Sequence, residues 1–166
     1  MDDANIKWRT QKPDYTLVDA LYMKEKTRSH KAGSIEKLVE NLVKTWEMES
    51  THKPDLKDWG TIDAEKFTIT VNGGRKLSAD DNVAMGNYNM FLEESMLFDT
   101  SKYTNDESHA IFKKAFPDTF PWELLDLLSG PPTVSFTWRH WVDWTGPYMD
   151  KEPTGEQMEL FRQSGR

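Results

Sequence analysis

The stretch VSFTWRHWVDW, residues 134–144, alternates between two sets of side chains along its whole length. Because successive side chains of a strand point to opposite faces, one face would carry Val134, Phe136, Trp138, His140, Val142 and Trp144. The other face would carry Ser135, Thr137, Arg139, Trp141 and Asp143. The alternation predicts a long strand. An imidazole and a guanidinium among tryptophans favour a pocket over a plain core.

Helical spacing dominates the first half of the chain. Pro13-Asp14 offers a turn and an N-cap, and we predict an amphipathic helix over residues 14–28. Ser34 caps a second helix, whose apolar stripe comprises Ile35, Leu38, Val39, Leu42, Val43 and Trp46. Ser78 and Asp81 have capping-box spacing and predict a third helix, which continues past Gly86 to Phe91 and Leu92.

Strand patterns are shorter before residue 134. Residues 67–71 alternate apolar and threonine side chains and precede Asn72-Gly73-Gly74, which predicts a half-buried strand ending in a tight turn. Residues 110–116 show partial alternation and predict a weak strand. Residues 122–129 fit either a helix or a buried strand, and the flanking Pro121 and Gly130-Pro131-Pro132 favour the strand.

The order of these elements, helices first and then strands in hairpin succession, predicts an α+β fold. Helices would pack on one face of a curved, mainly antiparallel sheet. We expect a single domain over residues 13–161, with a flexible arm over 1–12 and a tail over 162–166. A sheet curled around helices leaves a concave cavity at its open end, where ligands commonly bind.

Composition narrows the classes of partner. The 166 residues include 21 Lys and Arg against 28 Asp and Glu, a net charge of −7, with no local basic patch. We therefore expect no nucleic-acid or membrane-surface partner. The absence of cysteine excludes disulfides and thiolate zinc sites. No signal-like or membrane-spanning apolar run is present, so we expect a cytoplasmic protein.

Four segments are distinctive in combination: the tryptophan-bearing helix at 42–49, Arg139-His140-Trp141, Gly146-Pro147 and the loop at 153–156. With these segments the chain resembles the plant pathogen-related protein family. That family is similar to the SnoaL-like, or polyketide-cyclase-like, branch of the nuclear-transport-factor-like superfamily. The resemblance runs from about Trp8 to Phe161, nearly the whole chain.

What the resemblance implies is a cone of antiparallel sheet wrapped around helices, with an apolar pocket at its wide end. The superfamily includes cyclases, isomerases, dehydratases and hydrolases, alongside domains without catalysis, so the fold does not settle the function. The family pattern would continue with two more strands after Phe161, and their lack predicts a truncated, partly open sheet.

Glu49 is the sharpest candidate for chemistry, since it follows Trp46 by three residues and projects from the apolar stripe. A buried carboxylate must be paired, protonated or directed at a cavity. The alternative is that the helix ends before Glu49 and leaves the side chain solvated.

His140 shares its face with tryptophans and could transfer protons near neutral pH. The alternative is a core histidine bonded to a backbone carbonyl or an acid. Arg139 and Asp143 lie on the opposite face, either lining a pocket or forming an exposed ladder. The tryptophans could line a ligand cavity or fill a core. No cluster has metal-ligand spacing, so we predict no metal and no cofactor.

The leading hypothesis is a domain that binds a small hydrophobic molecule. If it catalyses a cyclase-like or isomerase-like reaction, which the sequence leaves open, His140 and Glu49 would transfer protons. Tyr88 and Arg139 would contact the ligand, and Trp46 and Trp138 would form the walls. The alternatives are a non-catalytic stress-response or pathogen-response domain that forms a homodimer through its sheet, and an incomplete, poorly stable chain.

Overall fold

The computed structural model describes residues 6–92, 98–117 and 120–164, with side chains described up to Glu159. The described helices are α1 (Thr16–Glu25), α2 (Ile35–His52), α3 (Ala79–Leu92) and α4 (Asn105–Ala115). The strands are β1 (Thr68–Ile69), β2 (Leu77–Ser78), β3 (Trp122–Ser129), β4 (Ser135–Asp143) and β5 (Gln157–Ser164). This combination of helices with antiparallel sheets confirms a mixed α and β protein. The cone-like closure stays a prediction.

The strands form two sheets. β1 and β2 pair antiparallel, and β3, β4 and β5 form a second antiparallel sheet with β4 in the centre. On one side of β4, His140 lies opposite Trp122 and Trp138 opposite Leu124. On the other side, Asp143 pairs with Gln157 and the ladder continues to the end of β5. The decisive stretch of sequence is therefore the central strand of the larger sheet.

The chain divides into two compact units. The helical unit comprises residues 1–13 and 45–111, and the sheet unit comprises 14–44 and 112–166. Two of the three boundaries fall within α2 and α4, and the third lies between residues 13 and 14. The single domain expected over 13–161 stays a prediction. The strand β5 extends to Ser164, three residues past the expected end of that domain. In the expected N-terminal arm, the Arg9 amide donates to His52 O and its guanidinium to Val83 O.

The sheet unit has apolar packing on both faces of β4. The face that carries Phe136 and Trp138 lies on the core, because both side chains pack against a buried cluster of Val39, Trp122 and Leu124. The opposite face is also covered, since Trp141 is buried and its ring stacks on Tyr22 of α1. A strand covered on both faces carries large side chains at consecutive positions, as residues 138–142 do.

Two predicted elements differ from the structure. Residues 110–116 lie in and just after α4, so the predicted strand is wrong. Thr104 and Glu107 form a reciprocal capping box at the start of this helix. Phe112, Ala115 and Phe116 are all buried, and their spacing of three and four is helical. Three of the five aliphatic residues of the predicted α2 stripe are instead exposed, namely Ile35, Leu38 and Leu42.

The predicted capping box, tight turn and strand at 122–129 are confirmed. Ser78 and Asp81 exchange the hydrogen bonds of a capping box before α3. The predicted strand at 67–71 is reduced to the two residues of β1, but burial alternates along it. Gly74 N donates to Val71 O and closes the predicted turn. The ambiguous segment 122–129 is the strand β3.

Candidate ligand-binding site

Trp46 lies on α2 within the helical unit and presents a buried hydrogen-bond donor. Its indole ring is 6.2 Å from the ring of Phe67 and 6.3 Å from the ring of Phe91, the latter edge to face. The indole Nε1 is buried and has no acceptor among the described residues. An indole N–H that is removed from water without an acceptor costs free energy, and such an orphan donor calls for an explanation.

The surroundings of Trp46 are apolar. Its ring packs against a buried cluster of Val71, Leu77 and Met90, which also contacts Ile69 and Met85. Two of these side chains are methionines, whose unbranched thioethers adapt to irregular shapes. The arrangement combines aromatic walls with one polar group, which is the usual character of a small-molecule site.

Tyr88 lies on α3 in the same unit. Burial raises the pKa of its phenol above the usual range, and the nearby Glu47 carboxylate adds to this effect. The ring of Tyr88 lies 5.8 Å from the ring of His109, which in turn lies 5.9 Å from His52. Tyr88 is therefore a neutral phenol at physiological pH. Its predicted contact with a ligand stays a prediction.

Glu49 is buried near the end of α2, which continues to His52. The alternative of an early helix end with a solvated side chain is therefore wrong. Its Oε1 accepts from Lys53 Nζ at 3.0 Å and from Gly60 N at 2.8 Å. Its Oε2 accepts from the amide and hydroxyl of Thr61, at 3.2 Å and 2.6 Å.

These contacts decide the protonation state of Glu49. Burial acts to raise the pKa of its carboxyl, but hydrogen bonds from Gly60 and Thr61 and the Lys53 ammonium outweigh burial and lower the pKa. Lys53 also donates to Asp58 O, and Trp59 Nε1 donates to Lys53 O. Glu49 thus holds residues 53–61 against α2 as a fully bonded anion.

His140 lies in the sheet unit with its Nδ1 2.7 Å from Pro121 O. A carbonyl oxygen only accepts, so Nδ1 carries the hydrogen. The ring also lies 5.2 Å from Phe120 and 6.0 Å from Trp138. The alternative of a histidine bonded to a backbone carbonyl matches this geometry, and Trp138 belongs to the packed core.

Arg139 is partly buried on the opposite face of β4. The alternative of an exposed ladder with stacking agrees with the structure in the stacking but not in the exposure. Only 11% of its side chain is exposed. Its guanidinium donates to Glu123 Oε2 at 2.6 Å, to Glu159 Oε1 at 2.9 Å and to Glu25 O at 2.6 Å. It also stacks on Trp141 at 4.0 Å. These partners occupy the guanidinium and join β3, β4, β5 and the end of α1.

The six predicted site residues fall into two groups. Trp46, Glu49 and Tyr88 belong to the helical unit, and Trp138, Arg139 and His140 belong to the sheet unit. Sequence reasoning missed Phe67 and Phe91 beside Trp46, because both lie in segments far along the chain from α2 and no sequence spacing indicates such contacts. It also missed Lys53 as the partner of Glu49, although their spacing of four residues across the end of α2 was an available signal.

Among the residues that the structure describes, no group of three or more His, Asp or Glu side chains could hold a metal ion. None of the described helices is both long enough and apolar enough to cross a membrane.

The chain is 35% identical to the pathogen-related protein of Hordeum vulgare over 156 residues. The similarity supports the pathogen-related protein family. It covers 90% of this chain and 66% of the relative, so the chain spans about two thirds of the relative's length. No protein-family model and no solved structure matches the chain.

Two of the segments that resemble the pathogen-related family, Gly146-Pro147 and the loop at 153–156, lie in the sheet unit. Gly146 N donates to Ala115 O at the end of α4, and a Cβ at position 146 would overlap the Lys114 carbonyl. Trp144 exchanges backbone hydrogen bonds with the loop at 153–156, and its Nε1 donates to Gly146 O. These segments thus provide a close backbone approach and a loop closure within the sheet unit.

Proposed function

We propose that this protein binds a small hydrophobic molecule that carries one hydrogen-bond acceptor, such as a ketone. The observation that carries the proposal is the buried Trp46 Nε1, which has no acceptor among the described residues and lies between Phe67 and Phe91. A ligand carbonyl at this place would accept from the indole while its apolar part packs on the rings.

A matched pair of probes tests this site. 2-Acetylnaphthalene and 2-ethylnaphthalene have nearly the same shape and differ in the carbonyl oxygen. We expect the ketone to bind the wild-type protein about tenfold more tightly by isothermal titration calorimetry, because the hydrocarbon leaves a buried donor unpaired. Trp46→Phe keeps an aromatic ring but removes the N–H, so it should abolish the preference.

Trp138→Phe is the control, since Trp138 packs in the core of the sheet unit. The preference for the ketone should survive in this variant. Failure of both probes to bind, or a preference that persists in Trp46→Phe, would overturn the proposal.

Membership of the SnoaL-like branch and acid–base catalysis are further parts of the proposal. The antiparallel sheet with its helices and the likeness to the barley protein support a place in the SnoaL-like branch. Each carboxylate oxygen of Glu49 already accepts from two donors. This favours a protein that binds its ligand without turnover over one in which Glu49 and His140 transfer protons. If the wild-type protein converts a ligand and both Glu49→Gln and His140→Gln abolish that conversion, the catalytic hypothesis would be favoured. The cytoplasmic location stays a prediction.

The alternative of an interaction domain is favoured by one observation. Ile35, Leu38 and Leu42 are 41%, 67% and 49% exposed and repeat at spacings of three and four along α2. This spacing puts them on one helix face. If a second copy covers that face, Leu38→Glu should lower the mass found by analytical ultracentrifugation. Leu17→Glu, on exposed Leu17 of α1, is the control.

A further inference from the structure

Arg75 lies at the edge of the apolar cluster that Trp46 contacts. The residue belongs to the segment that joins β1 to β2, and its Nη2 is 3.3 Å from the Met85 sulfur. Met85 packs on the same buried side chains as Trp46, namely Val71, Leu77 and Met90. The cluster that carries the Trp46 donor therefore has a guanidinium at its edge.

The spacing along the chain explains why Arg75 reaches the cluster. Arg75 precedes the buried Leu77 of β2 by two residues, and side chains two apart lie on the same side of an extended segment. The contact with Met85 agrees with this. Lys76, between them in the chain, is exposed and has no ion pair among the described residues. It carries the same charge as Arg75 at the next position.

The guanidinium of Arg75 differs from the other arginines in its partner. The structure describes four arginine side chains, and three lie within 4.0 Å of a carboxylate oxygen: Arg9 at Asp106, Arg28 at Asp126 and Arg139 at Glu123. The described side-chain bond of Arg75 goes instead to a thioether sulfur, which is a weak acceptor. Most of the donors of this guanidinium are therefore free to bind another group.

Asp81 is the acid closest in effect to Arg75, but it has other partners. Its Oδ2 accepts from the amide and the hydroxyl of Ser78, both at 2.8 Å. These hydrogen bonds lower the pKa of the Asp81 carboxyl, and the charge of Arg75 lowers it further by a smaller amount. The carboxylate thus serves the capping box of α3 and leaves Arg75 without a direct ion pair.

We propose that the ligand of the Trp46 site is a hydrophobic carboxylic acid whose carboxylate pairs with Arg75. The inference rests on the proposed function, in which the apolar part packs on Phe67 and Phe91 and a carbonyl accepts from Trp46. The planar guanidinium matches the two oxygens of a carboxylate and donates to both. A chain of net charge −7 repels anions in general, so a bound acid requires such a local cation.

A charged probe and its neutral ester test the pairing. 6-Acetyl-2-naphthoic acid and its methyl ester share the naphthyl ketone and differ in charge. We expect the wild-type protein to bind the acid about tenfold more tightly than the ester by isothermal titration calorimetry at low salt. Added sodium chloride should reduce this preference, because Arg75 is exposed and salt screens exposed charges.

Two variants separate a specific pair from a general effect of charge. Arg75→Gln should remove the preference for the acid, whereas Lys76→Gln removes the same charge from the adjacent exposed residue and should retain it. The inference is overturned if the wild type binds the acid no more tightly than the ester, or if the two variants lose the preference equally.

The neutral pair of probes keeps the two proposals apart. The preference for 2-acetylnaphthalene over 2-ethylnaphthalene depends on Trp46 and does not involve Arg75. If that preference is found while the acid and the ester bind equally, the carboxylate inference fails and the proposed function stands. If that preference is absent, both fail.

Discussion

Glu49 shows at the scale of one residue how a buried charge is accommodated. Its carboxylate is 3% exposed and has two donors on each oxygen. Glu123 of the sheet unit is likewise buried and accepts from Arg139 and from the amide of Thr27. In each case a charged pair is completed by neutral donors, which offsets the cost of taking the anion out of water.

Glu49→Gln should destabilise the protein by about 3 kcal/mol, because it leaves the Lys53 ammonium buried without its anion. The measurement is the free energy of unfolding in urea, followed by tryptophan fluorescence. Glu65→Gln is the control, since Glu65 is exposed and its substitution should cost about 0.5 kcal/mol or less. Equal effects of the two substitutions would contradict the structural role of Glu49.

At Gly146 the absence of a Cβ atom allows a close approach to the Lys114 carbonyl. Gly146→Ala should cost about 3 kcal/mol, because the new methyl group would overlap the Lys114 carbonyl and push the segment away from α4. Gly130→Ala is the matched control, as a Cβ there meets nothing within 4 Å. Thermal unfolding followed by circular dichroism gives the comparison. A Gly146→Ala variant as stable as Gly130→Ala would exclude this close approach.

At the scale of elements, α3 is interrupted at Gly86, whose φ of 77° and ψ of 162° are not helical. Side-chain amides bond the carbonyls near the break: Asn105 Nδ2 donates to Val83 O, and Asn89 Nδ2 donates to Met85 O. A Cβ at position 86 would also overlap the Asn105 carboxamide. The kink is therefore held by both backbone conformation and packing.

Gly86→Ala should destabilise by about 3 kcal/mol, since it combines a disfavoured φ with a steric overlap. Gly33→Ala separates the two causes, because Gly33 also has a positive φ, 82°, but has open space around its Cβ position. That control should cost about 1 kcal/mol. Urea unfolding of both variants provides the test, and equal losses would leave no role for the Asn105 contact.

The helices and strands also show which features could be predicted from the sequence. The α3 capping box and the strand pattern of β4 were predictable, because each depends on neighbours along the chain. α4 was missed because its Phe112 and Phe116 also fit a two-residue alternation, although Thr104 and Glu107 marked the helix start. Trp46 was predicted as a site residue, but its Phe67 and Phe91 neighbours come from distant segments and required the folded structure.

For the whole molecule, two buried carboxylates link stability to pH. Burial acts to raise the pKa of both Glu40 and Glu49, but their hydrogen bonds and lysine partners lower it below the ordinary value of 4.5. A lowered folded-state pKa contributes stability above the unfolded pKa, and this stability is lost as pH falls through the folded pKa. The protein should therefore lose stability in mild acid.

The expected loss begins below about pH 5, where unfolded-state carboxyls bind protons before the native ones do, and continues as pH falls through the lowered folded-state pKa. Urea unfolding at a series of pH values measures it. Glu49→Gln should lose less stability across this interval than the wild type, because it lacks one of the linked groups. Parallel pH curves for the two proteins would show that Glu49 is not linked to folding.

Local spacing and helix caps depend on near neighbours, so the amino-acid pattern alone predicts the mixed α and β class, the helices α1 to α3 and the strand at residues 134–144. Which polar groups are available depends on contacts between distant segments, and these form only in the folded protein. The fold gives Arg139 and Glu49 complete sets of partners and leaves the Trp46 donor without one among the described residues. It also brings Arg75 and Trp46 to the same apolar cluster, because such contacts fix the desolvation and pairing on which binding depends.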